Sequence, residues 1–155
     1  MLDIMETSMS LPAMSLDDIE KVRLFEARIL EMPQTPIATR HFLHGGMYAR
    51  TITIPANTVL SGALIEIPTL LIVSGRAVVY AGDGNKIEVS GHQVIPASAG
   101  RKQIFITADD TDVTMVFPTN TRTVEEAEEE FTREFDRLMS RKSNENLVIV
   151  TGENT

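Results

Sequence analysis

The sequence predicts an all-β fold, a small sandwich or barrel, with one helix before it and one after it. Two observations carry this. Between about residues 39 and 118 apolar residues alternate with polar ones in seven or eight short runs, separated by turn residues every eight to twelve positions. On either side, at 15–32 and 123–141, the spacing changes to that of an amphipathic helix. At 155 residues, 43% hydrophobic and 23% charged, the chain has the size and composition of one domain with a real core.

Residues 1–14 are Met- and Ser-rich without a period and are expected to form a loose arm, leaving 15–155 as the single domain. Ser15 is placed to cap the first helix, and Asp17 and Asp18 suit the positive end of its dipole. Leu16, Ile19, Val22, Leu24 or Phe25, and Ile29 mark its apolar face, and Pro33 and Pro36 end it. Gly45-Gly46 then makes a turn into "MYARTITIP", which puts Tyr48, Arg50, Ile52 and Ile54 on one face and Ala49, Thr51 and Thr53 on the other. Further strands are expected at Val59–Ile67, Leu70–Val73, Arg76–Tyr80, Lys86–Val89, Gln93–Ile95, Gln103–Thr107 and Val113–Phe117. Ser74-Gly75, "AGDGN" at 81–85, Ser90-Gly91, "PASAG" at 96–100 and "ADDTD" at 108–112 are the turns between them. The second helix takes Thr123 as its cap and Val124, Ala127, Phe131, Phe135, Leu138 and Met139 as its apolar stripe; seven acids against two bases in Glu125–Arg137 form its solvated face. In the C-terminal segment 147–155, Leu147–Val150 can add an edge strand, on its own sheet or on that of a partner subunit.

The totals exclude several functions. A net charge of −8 repels phosphate backbones, so no nucleic-acid partner is expected. The absence of cysteine removes disulfides, thiolate metal sites and cysteine nucleophiles, and suits a reducing, cytoplasmic setting. "MLDIMETSMSLPAMSLDD" lacks the basic start and apolar core of a signal peptide, and "SGALIEIPTLLIVSG" at 61–75 is too interrupted to cross a membrane. There is no Gly-x-Ser-x-Gly elbow, phosphate loop or His-Glu-x-x-His.

The order Gly62, Ile65-x-Ile67, Gly75, the hairpin "AGDGN" and then "GHQVIPASAG" at 91–100 resembles the cupins over residues 47–118. More closely, "GGMYARTITIPANTVLSGALIEIP", "LLIVSGRAVVYAGDG" and "FPTNTRTVEEAEEEF" are similar to small cupin-like proteins encoded by bacteriophages and prophages. The resemblance implies a jelly-roll barrel. It also implies where a metal site would sit, and there this chain departs: Ile65 and Ile67 replace a His-x-His pair, Thr69 a further His, Leu71 or Ile72 the acid, and Lys102 or Gln103 the last His. His-x-His grips an ion because alternate strand residues share a face. Two isoleucines offer only hydrocarbon, so neither metal nor another cofactor is expected.

The remaining candidates are few. Glu66 alternates away from Ile65 and Ile67, towards solvent or a subunit contact. His41 and His44 stand three apart, awkward for one ion on an extended strand, and His92 reads as a turn residue. Tyr48, Arg50, Tyr80 and Arg101, with Lys102, could line a barrel mouth and meet an anion, although Arg101 and Lys102 follow a turn and are expected in water. The expected function is a non-enzymatic accessory or structural protein, phage- or prophage-related, acting as an oligomeric interaction module in the host cytoplasm. A homodimer is the expected assembly, with a phage or host protein as a further partner. The alternatives are a binder of an anionic or sugar-like small molecule, and a cupin-class enzyme.

Overall fold

The computed structural model describes residues 9–142 and 145–152. Its strands are β1 (Ala38–His44), β2 (Met47–Ile54), β3 (Val59–Ser61), β4 (Thr69–Gly82), β5 (Asn85–Ala97), β6 (Ile104–Thr107), β7 (Thr111–Pro118) and β8 (Asn146–Val150); its helices are α1 (Leu16–Ile29) and α2 (Val124–Phe131). The strands form one sheet in the order β3-β6-β4-β7-β2-β1-β8, with β5 on the other side of β4. Every pairing is antiparallel except β1 with β8. The all-β fold with flanking helices is therefore as the sequence predicts, and β8 lies on its own chain's β1.

Two predicted turns are not turns. Ser74-Gly75 and Ser90-Gly91 lie in the middle of unbroken strands, where Gly75 faces Gly91 across the β4–β5 ladder. Glycine reads as a breaker in sequence, but paired glycines also let two long strands bend together. Gly75 has φ +148°, a conformation side-chain-bearing residues rarely adopt, and its α-carbon lies against the β7 entry at Asp110 and Thr111. At that bend β4 changes neighbour: Leu70–Ser74 pair with β7, and Ala77–Tyr80 pair with β6. The sheet curls there.

The helices are shorter than their sequence periods. Ser15 caps α1 through its hydroxyl, which accepts from the Asp18 N–H at 3.1 Å. Only Ile19 and Val22 of the predicted stripe are buried; Leu16 and Leu24 are exposed, and Glu31 and Met32 tighten into i→i+3 bonds instead of continuing the helix. Thr123 caps α2, which stops at Phe131 rather than 141, because Thr132 swings into extended backbone. Tertiary bonds replace the helical ones: Glu66 N–H donates to the Phe131 carbonyl at 2.9 Å, and its carboxylate accepts from Arg133 N–H at 2.6 Å. Single turns at Phe135–Arg137 and Met139–Arg141 still bring Leu138 into the core. Of the predicted arm, residues 1–8 lie outside the described residues, and 9–14 are docked rather than loose. Leu11 is 1% exposed and bridges Ala97 in parallel.

Register fixes what each face of the sheet carries. The inner row Ile95–Leu71–Met115–Arg50–His41–Val148 passes from apolar core to the polar pair Arg50 and His41. One residue along, the outer row reads Pro96–Leu70–Val116–Ala49–Phe42–Ile149, apolar across six strands. Helix α1 covers a separate small cluster of Met14, Ile19, Val22 and Ile104.

Candidate functional site

The positions where the resemblance implies metal ligands do not form the expected strand. Only Val59–Ser61 pair regularly; beyond them Ile65 makes one antiparallel bridge to Arg101, its N–H donating to the Arg101 carbonyl at 2.8 Å. Ile65 and Ile67 are half-buried and pack on the main core. Thr69 accepts a hydrogen bond from the Arg101 guanidinium at 2.7 Å. These residues do not fit a metal ion, and among the described residues no cluster of three or more His, Asp or Glu is arranged to hold one. Glu66, expected to face solvent or a subunit contact, is partly exposed and pairs with the exposed Arg133, at 3.1 Å from its Nε.

The three histidines do not converge. His44 Nδ1 lies 2.7 Å from Thr151 Oγ1, and His92 is exposed within β5 opposite Ser74, not in a turn. His41 is 1% exposed and belongs to a closed set of hydrogen bonds. Asn146 Nδ2 donates to the Ser140 carbonyl at 2.9 Å, which turns its Oδ1 to His41 Nε2 at 2.8 Å. The proton therefore sits on Nε2, and Nδ1 accepts from the Tyr48 hydroxyl at 2.7 Å. Arg50 donates to Glu128 Oε2 at 2.8 Å and to Ser140 Oγ at 3.1 Å; Ser140 donates in turn to Glu128, and Arg141 Nε reaches the other carboxylate oxygen at 2.8 Å. Tyr48 stacks with Phe131, and the Arg50 guanidinium lies over the same ring at 5.5 Å.

The electrostatics follow from this burial. Burial pushes the Tyr48 hydroxyl up to about 12 and His41 below its ordinary value, so both are neutral at pH 7. For Glu128 burial opposes ionisation, but the bonds from Ser140 and Arg141 and the charge of Arg50 outweigh it and hold it low. Above this set lies an open groove of about 530 Å³ between α2 and β8, rimmed by Arg122, Thr123, Glu125 and Val150. Both nitrogens of His41 are engaged, so it can take a proton only by giving up Tyr48. The arrangement holds a shape rather than offering a free base.

The four residues expected to share an anion-binding mouth are thus dispersed. Tyr48 and Arg50 are sealed under α2, and Tyr80 is half-buried on the opposite face of β4, against the α1 cluster. Arg101 and Lys102, expected in water, are 2% and 1% exposed. Lys102 Nζ lies 3.0 Å from Glu26 and 3.1 Å from Glu134 and donates to the Gly62 carbonyl at 2.9 Å. Glu134 also binds Arg23 and accepts from Leu64 N–H at 2.9 Å. This cluster ties α1, residues 61–64 and the segment after α2 to the sheet.

It makes stability depend on acid. Burial works against the Glu134 charge, but the Leu64 N–H and Lys102 outweigh it and bring its pKa from 4.5 to about 2. A lowered folded pKa stabilises above the unfolded value and loses that contribution as pH falls, so it is complete above about pH 4.5 and fades towards pH 2. Melting temperature recorded from pH 7 to pH 3 is expected to drop through this window, and Glu134→Gln to reduce the loss of stability by about 1 kcal/mol after solvent screening. An unchanged profile in the variant would assign the acid loss to other carboxylates.

No family model and no curated protein matches the chain. Among solved structures it is similar to a cupin superfamily protein of Desulfitobacterium hafniense DCB-2, at 14% identity and a TM-score of 0.46, over 61% of this chain and 87% of that one. It is similar also to the EutQ protein of Clostridium difficile, at 14% identity and a TM-score of 0.43, over 54% and 64% of the two chains. A third is a salicylate 1,2-dioxygenase of Pseudoaminobacter salicylatoxidans, at 9% identity and a TM-score of 0.44, over 75% of this chain and 36% of that one.

Proposed function

We propose that the chain is a non-catalytic cupin-like barrel that works by self-association, a second copy covering the outer face of its sheet. The row Pro96–Leu70–Val116–Ala49–Phe42–Ile149 carries this reading. Six strands at about 4.8 Å spacing make it about 24 Å long. Leu70, next to one end, and Ile149, at the other, are 49% and 41% exposed, and Val94 beside the row is 53% exposed. Solvated sheet faces normally alternate to polar residues, and a continuous apolar band marks an interface.

Charge favours a second copy as the occupant. A chain of net charge −8 repels its own kind over most of its surface, but this band is uncharged. Arg40 and Asp112 flank it, 3.9 Å apart and each nearly half-exposed, so a twofold axis can exchange their pairing between copies. Ile65 and Ile67 in place of ligands, and a His41 with both nitrogens occupied, support the non-catalytic part. The setting we propose, an accessory or structural role in a host cytoplasm, rests on the sequence resemblance to phage and prophage cupin-like proteins alone.

Light scattering at micromolar concentration is expected to give twice the 17.1 kDa chain mass. Leu70→Glu is expected to return the monomer with unchanged circular dichroism, and to melt lower only by the stabilisation that association supplies, because it places a charge in the band without touching the core. A wild-type particle of 17.1 kDa would overturn the proposal.

A further inference from the structure

Three cations are buried among the described residues, and two have their own carboxylates: Arg50 pairs with Glu128, and Lys102 with Glu26 and Glu134. Arg101 has none. It is the bulkiest of the side chains sealed from solvent, at 2% exposure, and its two acceptors are neutral: the Ser98 carbonyl at 2.8 Å and Thr69 Oγ1 at 2.7 Å. A buried guanidinium without a counter-ion is costly, because neutral oxygens return only part of its lost hydration.

A second, independent observation stands two residues along. Gln103 is 5% exposed, and its Nε2 finds no acceptor. Residues 101, 103 and 105 share one face of an extended segment, and Phe105 lies in the main core, so Arg101 and Gln103 turn to the barrel interior while Lys102 turns away. The Ile65–Arg101 bridge puts those two side chains on the same face.

We infer that Arg101, with Gln103 beside it, forms the recognition site for a small monocarboxylate at the Thr69 end of the barrel. A planar carboxylate matches the two-pronged donor edge of a guanidinium. One guanidinium neutralises one negative charge, and a dianion such as phosphate would leave a surplus charge in the interior. Ile65, the bridge partner of Arg101, packs with Ile67 against the main core and gives the acid an apolar neighbour. This site is separate from the outer sheet face and stands or falls independently of self-association.

Thermal melting and calorimetric titration with acetate, butyrate, benzoate and inorganic phosphate test it, each against sodium chloride at equal ionic strength. A monocarboxylate is expected to raise the melting temperature saturably, and phosphate to behave as the salt control. Arg101→Met is expected to abolish the effect, and Gln103→Leu to weaken affinity about tenfold, the loss of one hydrogen bond to a charged group. Should Arg101→Met fail to fold, Gln103→Leu decides alone. The inference is overturned if no monocarboxylate exceeds the salt control, if phosphate binds in their place, or if the response survives unchanged in the folded variants.

Discussion

Glu128→Ala is expected to lower the unfolding free energy by about 3–5 kcal/mol, the usual cost of removing one partner of a buried ion pair. The carboxylate is 2% exposed and receives Arg50, Ser140 and Arg141 together. Without it Arg50, whose side chain is only 10% exposed, loses its ion-pair partner and keeps a buried charge. Urea unfolding at fixed protein concentration reads the loss. The double variant Arg50→Met with Glu128→Leu is expected to recover more than half of it, because a pair replaced by hydrocarbon leaves no stranded charge. If the single variant unfolds at the wild-type midpoint, the hydrogen-bonded set is ornamental to stability.

Gly75→Ala is expected to cost a similar amount, about 3–5 kcal/mol, for an unrelated reason. A β-carbon there would stand 2.5 Å from Thr111 Oγ1 and 2.7 Å from both the Asp110 carbonyl oxygen and Thr111 Cα. Two of these are backbone atoms of the turn into β7, which cannot move without shifting the strand. Overpacking of this kind costs about 1–3 kcal/mol and the strained φ adds about as much again. Gly91→Ala, whose β-carbon would meet nothing within 4 Å, carries only the strain of its own positive φ and should lose less. Equal losses at the two glycines would show that the bend depends on conformational freedom alone, not on the contact with β7.

Local chemistry was legible in the sequence. The caps at Ser15 and Thr123, the Gly45-Gly46 turn and the alternation in "MYARTITIP" depend on residues within a few positions of one another, and all are found. What depends on distant partners was not. Arg101 and Lys102 read as solvated because the groups that bury Lys102 come from positions 26 and 134, far along the chain. Helix α2 runs short because a carbonyl and an N–H at its end are claimed by Glu66, 65 or more positions earlier. One signal did exist for Glu128. It stands four residues after Val124 and three before Phe131, so it is an acid on the apolar stripe rather than on the solvated face. An acid in that place needs a buried partner.

The parallel pairing of β8 with β1 orders events in time. His41 and Asn146, which meet side by side, are 105 residues apart in the chain. A ribosome therefore releases β1 long before the strand that finishes it, and the sheet must fold with an open flank and an incomplete set of bonds around His41. Closing so large a loop comes late in folding. β8 thus takes its place long after β1 is made, and until it does the imidazole lacks the asparagine that fixes its proton.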